Sequence, residues 1–292
     1  MLTWPVASLG WISSIVQQAE ASQKRINEFL TEKSEIKNVK NGIKKVNGKI
    51  EFKNIFFEYS DSNVQALNGI SFVIKPKSSL GIIGVTGSGK TTALKLITRS
   101  YNISSGEILL DDHSLNKIDL IHLRENIGVV PQDSFLFSDT IINNIRFGNE
   151  KASKKEIEKV CEIAGIHKEI LKFKDQYNTM LGERGVNLSG GQKQRVCIAR
   201  ALIKKPKILI MDDCLSALDT ETEEKIIKSL NEYIKDTTTI ISSHRISSIQ
   251  NLDKIIVLND GKIIQKGSHE ELINENGYYK QLYFKQLTEK ED

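Results

Sequence analysis

Gly84-Val-Thr-Gly-Ser-Gly-Lys-Thr91 fits the pattern G-x-x-x-x-G-K-[ST]. A loop of this kind wraps backbone N–H groups around a phosphate, aims an ammonium at the β- and γ-phosphates and offers a hydroxyl to Mg²⁺. The candidate phosphate ligands are Gly84, Thr86, Gly87, Ser88, Gly89, Lys90, Thr91 and Thr92, with Thr91 also a candidate metal ligand. Further along, the apolar run Ile208-Leu-Ile-Met ends in Asp212, the residue type that holds a Mg²⁺ shell at the end of a buried strand. A second carboxylate, Asp213, follows at once. Leu188-Ser-Gly-Gly-Gln192 puts a hydroxyl and two glycines where a long helix should begin, with Ser189 as its N-cap.

These residues need a strand before the phosphate loop and a helix after it. Leu80 to Val85 is a β-type run, and Thr91 to Arg99 has helical character. Further strands are expected at Ile50–Phe52, Ile55–Phe57, Phe72–Ile74, Glu107–Leu110, Ile127–Val130, Ile208–Met211, Thr238–Ser242 and Ile255–Leu258. Helical patterns run from Ile141 to about Tyr177, from Ser189 to near Ile203, and over Glu221–Ile234, Ile246–Asn251 and Gly277–Leu287. Strands alternating with helices predict a mostly parallel sheet. Asn259-Asp-Gly261 predicts a tight turn between two short strands.

Hydrophobic content of 39% and charged content of 27% suit a globular fold with a core of ordinary size. The net charge of +4 is mild, and Lys and Glu are interspersed, as in Lys154-Lys-Glu156 and Glu223-Glu-Lys225. Such runs predict solvated helix faces and give no argument for nucleic acid. Cys161, Cys197 and Cys214 are isolated, lack metal-ligand spacing and fit a reduced, cytosolic setting.

The first sixteen residues differ: they are almost wholly apolar, uncharged and contain Trp4 and Trp11. As a helix they would span roughly 24 Å, short of the roughly 30 Å hydrocarbon core. A signal peptide would start with basic residues, and none is present. Lys24 and Arg25 come soon after, as on the cytoplasmic side of a membrane span. The expectation is the C-terminal end of a transmembrane helix over 1–16 and a helical, polar linker over 17–48, with a buried core helix as the other reading of the apolar run.

The phosphate loop, the strand ending in Asp212 and the Leu-Ser-Gly-Gly-Gln segment together resemble the nucleotide-binding domain of an ABC transporter, from about Ile50 to the C-terminus. Residues 1–30 resemble the exporter segment that joins the last transmembrane helix to that domain. Gly182-Glu-Arg-Gly185 and Pro131-Gln-Asp-Ser-Phe-Leu-Phe137 are similar to the exporter forms of two contact loops. The resemblance implies an α/β fold of the P-loop NTPase (ABC ATPase) class, with a RecA-like core, an antiparallel β subdomain and a helical subdomain over about 133–203 of a domain covering 49–292. It implies ATP and Mg²⁺ as cofactors, a second ABC half-transporter and a transmembrane domain as partners, and a place on the cytoplasmic face of the bacterial inner membrane.

By the same resemblance Tyr59 stacks on adenine, Gln132 touches Mg²⁺, and His244 is the switch histidine beside the γ-phosphate. Ser189, Gly190, Gly191 and Gln192 form the signature segment, which completes the phosphate site of a second subunit. Ser216-Ala-Leu-Asp219 is the segment that crosses the dimer seam. The departure is Asp213, where the family pattern has Glu to polarise the attacking water. Asp is one methylene shorter, which withdraws the carboxylate by roughly 1.5 Å. This resembles the degenerate-site half of heterodimeric bacterial multidrug exporters. Three functions stay open: the energy-coupling half of an exporter of drug, lipid or peptide, a regulatory ATP-binding module with little catalysis, and a soluble ABC ATPase of repair or translation.

Overall fold

A computed structural model describes residues 3–39, 42–43, 45–233 and 235–291 of the chain. It forms two compact units, 1–37 and 38–292. The described part of the first unit is dominated by one continuous helix, α1 (Thr3–Thr31), with no buried residue along its length. It runs unbroken through the apolar stretch and the polar one that follows. No helix among the described residues is long and apolar enough to cross a membrane.

The second unit holds two sheets. The smaller is antiparallel, in the order β2-β1-β4-β5, from β1 (Ile50–Tyr59), β2 (Val64–Ile74), β4 (Ser105–Leu110) and β5 (His113–Ser114). The two short strands expected at Ile50–Phe52 and Ile55–Phe57 are one strand. The pairing register shifts between Phe52 and Ile55, where Asn54 takes a positive φ of 49°. That bulge breaks the alternation on which the sequence reading relied.

The larger sheet has the order β10-β9-β3-β8-β7-β6. Its members are β3 (Ser79–Gly84), β6 (Ile127–Val130), β7 (Ile208–Asp212), β8 (Thr238–Ser243), β9 (Lys254–Asn259) and β10 (Lys262–Gly267). All pairings are parallel except that of β10 with β9. Every residue of β7 and β8 is buried, as expected for a sheet covered on both faces. Successive residues point to opposite faces. Ile82, Ile208, Ile210, Ile240 and Ile256 therefore join a core shared with the antiparallel sheet and α2 (Lys90–Ile97). Their neighbours Ile83, Leu209, Met211, Ile241 and Ile255 join the core on the helical side.

The helical stretch expected from Ile141 to Tyr177 is three short helices: α4 (Ile141–Arg146), α5 (Lys154–Ile163) and α6 (His167–Ile170). Gly165, at φ +68°, separates the last two. Helix α7 (Gly190–Leu202) and helix α8 (Thr220–Tyr233) follow, and α10 (Tyr278–Glu291) closes the fold. Two six-residue helices were not foreseen, α3 (Leu120–Glu125) and α9 (His269–Asn274). Both have side-chain N-caps, from Asp119 and Ser268. The helix expected at Ile246–Asn251 is instead a run of tight turns. The serines there turn their hydroxyls to other partners, and Ser248 donates to Glu223 rather than supporting a helix.

The turn at Asp260-Gly261 joins β9 to β10 with positive φ at both residues, 46° and 71°, as a type I′ hairpin requires. Gly261 N–H donates to Ser88 O at 3.2 Å, and its carbonyl accepts from Asn68 N–H at 2.8 Å, so the turn ties the phosphate loop to the antiparallel sheet. A Cβ on Gly261 would stand 2.8 Å from Ala66 O. Gly261→Ala should lower the unfolding free energy by about 1–3 kcal/mol, measured by urea denaturation.

Candidate functional site

The phosphate loop leaves β3 at Gly84 and enters α2 at Lys90. Two of its glycines are demanded by close approach. A Cβ on Gly84 would lie 2.1 Å from Leu258 O, and one on Gly89, at φ +99°, would lie 2.5 Å from Ala66 O. Gly87 has a positive φ of 81° and open space beside it. The loop edges a cleft of about 500 Å³ lined by Thr86, Gly87, Gly89, Lys90, Thr91 and Thr92 from the loop and α2. Tyr59, Gln132, Asp212, Asp213 and His244 line it too, so residues far apart in the sequence converge there. Gly84 and Ser88 do not line the cleft: Ser88 is buried, and its hydroxyl has no hydrogen-bond partner among the described residues.

Lys90 is buried and donates to Gly84 O at 2.8 Å and Val85 O at 2.9 Å. Burial pushes its ammonium pKa down, while the carboxylates of Asp213 and Asp212 pull it back up. The Tyr59 hydroxyl lies 3.0 Å from Thr92 Oγ1. Edge contacts with Phe57 and Tyr101 fix its ring at the mouth of the cleft, at centroid distances of 4.8 and 5.3 Å. Gln132 follows β6 and is exposed.

Asp212 ends β7 and pairs in register with Ser242 of β8. Ser242 Oγ donates to Asp212 Oδ1 at 2.5 Å. Asp213 N–H donates to Ser242 O at 3.0 Å and also approaches Ser242 Oγ at 3.2 Å. One serine thus holds both carboxylate residues, and its place before His244 was the only sequence signal for it. Asp213 turns the chain with φ 42°, a conformation Asp tolerates better than most residues. Burial pushes its carboxyl pKa up, against the charge and backbone N–H of His244 and the ammonium of Lys90. The carbonyl of His244 accepts from Gln286 Nε2 at 2.7 Å, and Gln286 Oε1 accepts from Ile246 N–H at 2.9 Å. Gln286 sits on α10, more than forty residues on, and nothing in the sequence pointed to it.

The signature residues are not in this cleft. Ser189, at φ −65° and ψ 161°, caps α7 in a capping box with Gln192. Ser189 Oγ accepts from Gln192 N–H at 3.3 Å, and Gln192 Oε1 accepts from Ser189 N–H at 2.9 Å. Gln192 Nε2 donates to Glu169 Oε2 at 2.8 Å, so its side chain is engaged within the helical region. Burial raises the pKa of Glu169, but hydrogen bonds from Arg195 and Gln192 outweigh it and hold the carboxyl below its ordinary value. Gly190 and Gly191 leave the start of α7 close against Ala217 and Leu218. The reading of Glu223-Glu-Lys225 as a solvated face holds for Glu224 but not for Glu223, which is fully buried. Its carboxylate accepts from Arg245, Ser247 and Ser248.

The raised Asp213 pKa has a stability consequence. The folded chain binds that proton more tightly than the unfolded chain, so the associated stability is present at low pH and lost as pH rises through the folded value. In thermal unfolding, Asp213→Asn should raise the Tm above wild type at about pH 7, with the gain fading toward about pH 3.

A family model described as ABC transporter matches residues 67–216. The chain is 45% identical over its whole length to the multidrug resistance-like ATP-binding protein MdlA of Buchnera aphidicola, of which it covers 50%. It is 42% identical to the uncharacterized ABC transporter ATP-binding protein YknU of Bacillus subtilis, with 97% of this chain and 48% of that protein aligned. A solved bacterial Atm1-family ABC exporter with ATP bound superposes with a TM-score of 0.88 and 37% identity, over 97% of this chain and 50% of that one. The chain therefore spans about half the length of these relatives. With the matched segment running through half of the chain and onto both carboxylates that follow from β7, the protein belongs to the ABC transporter family, whose ATPase domain it forms.

Proposed function

We propose that the chain is the ATP-driven half of an exporter and that its own cleft is the weak site of a heterodimer. The observation carrying this reading is the separation of the two phosphate-facing surfaces. The cleft has the lysine, the carboxylates and the histidine, while the capped start of α7 lies outside it. A second cassette would bring its own helix start to this cleft, adding N–H groups and a hydroxyl where charge develops on the γ-phosphate. In return, Ser189, Gly190 and Gly191 would complete the partner's site. Glycines whose Cβ positions are already filled fit the β-phosphate of ATP closely, and Tyr59 offers a ring to adenine.

Thr91, Gln132 and Asp212 all line the cleft and carry oxygen donors that suit a hard divalent cation. Mg²⁺ there would neutralise charge on the β- and γ-phosphates. Lys90 binds the same phosphates, and Asp213 and His244 orient the water that attacks the γ-phosphorus as its bond to the bridging oxygen breaks. Asp213 reaches less far than Glu would, and a misplacement of about 1 Å can cost on the order of a hundredfold in rate. Closure on ATP would switch the membrane domains, and hydrolysis at the partner's competent site would reset them. On this reading the first half of α1 is the C-terminal end of a transmembrane helix, and the domain lies on the cytoplasmic face of a bacterial inner membrane. Multidrug-like cargo is favoured by the relative named multidrug resistance-like.

The test compares wild type, Asp213→Glu and Lys90→Ala for MgATP binding and steady-state hydrolysis. Wild type should bind ATP and turn over slowly, Asp213→Glu should gain about tenfold or more in kcat with similar affinity, and Lys90→Ala should lose binding. Fast turnover by wild type with no gain from Glu would replace the heterodimer with a homodimeric exporter. Binding without turnover in either form would favour a regulatory module.

A further inference from the structure

Beside the cleft, the seam segment and the switch histidine are joined by a set of hydrogen bonds around one buried carboxylate. Arg245 follows His244 directly. Its guanidinium donates to Ser216 O at 3.2 Å and Leu218 O at 3.1 Å, both in the seam segment, and to Glu223 on α8 at 2.7 Å. Glu223 is fully buried, so this carboxylate is tied to one geometry. Its other oxygen accepts from the Ser248 hydroxyl, which in turn accepts from Ser243 Oγ at 3.2 Å. Ser243 Oγ accepts from Arg245 N–H at 2.9 Å. One carboxylate therefore fastens Arg245 twice, through its side chain and, by way of two serines, through its backbone.

We propose that Arg245 and Glu223 are positioning residues that lock the seam segment to the switch histidine, so that a partner pressing on Ser216–Asp219 sets the place of His244 in the cleft. The warrant is geometric. The seam carbonyls have a shared cationic donor in Arg245, one residue from His244, and that donor is anchored to a helix that does not line the cleft. A displacement of the seam must drag Arg245, break its two carbonyl bonds, or pull the guanidinium off a buried carboxylate. Breaking the pair would leave a buried charge uncompensated, and breaking the carbonyl bonds would strip the guanidinium of its two other acceptors, so the first course is favoured. The guanidinium suits this task because its fork addresses several oxygens at fixed angles, which an ammonium cannot.

The inference rests on the exporter reading proposed above and on the seam and switch roles that the family resemblance implies, and its test does not require turnover. In the full chain, amide hydrogen exchange across 216–219 and the imidazole NMR signals of His244 are compared in wild type, Glu223→Gln and Arg245→Lys. Gln keeps an acceptor for the serine hydroxyls but drops the charge on Arg245. Lys keeps the charge but not the fork. Expected in both variants are seam amides that exchange about tenfold faster or more, together with displaced His244 signals, while amides of β3 and β7 keep their protection. If Glu223→Gln does not fold, Arg245→Lys decides the matter alone. Seam amides that loosen while His244 stays unmoved, or no change in either, overturns the proposal. MgATP affinity is measured on the same samples and should stay within about threefold of wild type. A wild-type chain that binds no ATP would count against the proposed function and leave the coupling result standing.

Discussion

Charged side chains at the carboxyl ends of a buried parallel sheet must find partners there, and Ser242 supplies the pivotal one. Its hydroxyl satisfies Asp212, and its carbonyl and hydroxyl receive the backbone N–H of Asp213. Without those bonds the chain leaving β7 would carry two adjacent carboxylates into a half-buried turn with nothing to fix their direction. The register of β7 against β8 sets this contact, since Asp212 and Ser242 are paired residues. The geometry of the cleft thus depends on strand pairing in the core.

The same logic of charge and burial extends outward. Lys90 is buried beyond the carboxyl end of β3, where two loop carbonyls accept from its ammonium and the charges of Asp213 and Asp212 favour its ionised form. Asp213 is pulled in opposite directions by burial on one side and by His244 and Lys90 on the other. Lys90 and Asp213 therefore each favour the other's charged form, against burial that disfavours both. The helix start at Ser189 is built differently. It is neutral and closed on itself by a capping box, and it is steadied from below by Glu169 and Arg195. It presents backbone N–H groups at its first turn.

The sequence disclosed the parts of the site where sterics leave no choice. Gly84 and Gly89 sit under carbonyls that forbid a side chain, so the loop pattern was readable. Ser189 was readable as the N-cap of α7 from its residue type and place, and the structure adds Gln192 as the other half of a capping box. The parallel strands showed as apolar runs because both their faces are covered. What escaped reading were contacts that depend on the finished fold. Glu223 lies among Lys and Glu and looks solvated until α8 is packed against the turns after β8. The apolar spacing of Ile246 and Ile249 suggested a helix, but the intervening serines are committed to side-chain partners. Asn54 hid the length of β1 behind a bulge. Gln286 reaches the His244 carbonyl from the final helix, across a distance no local pattern encodes.

The central strands serve as a wall common to two cores, with Ile210 facing one and Met211 the other, and Ile240 and Ile241 divided the same way. Losing or gaining one residue inside such a strand would exchange its side chains between the two interiors from that point on. Asp212 would lose its place opposite Ser242 in the same event. Insertions and deletions are therefore confined by packing to the connections between strands and helices. In those connections the chain can change length, while the strands that carry the chemistry keep their count.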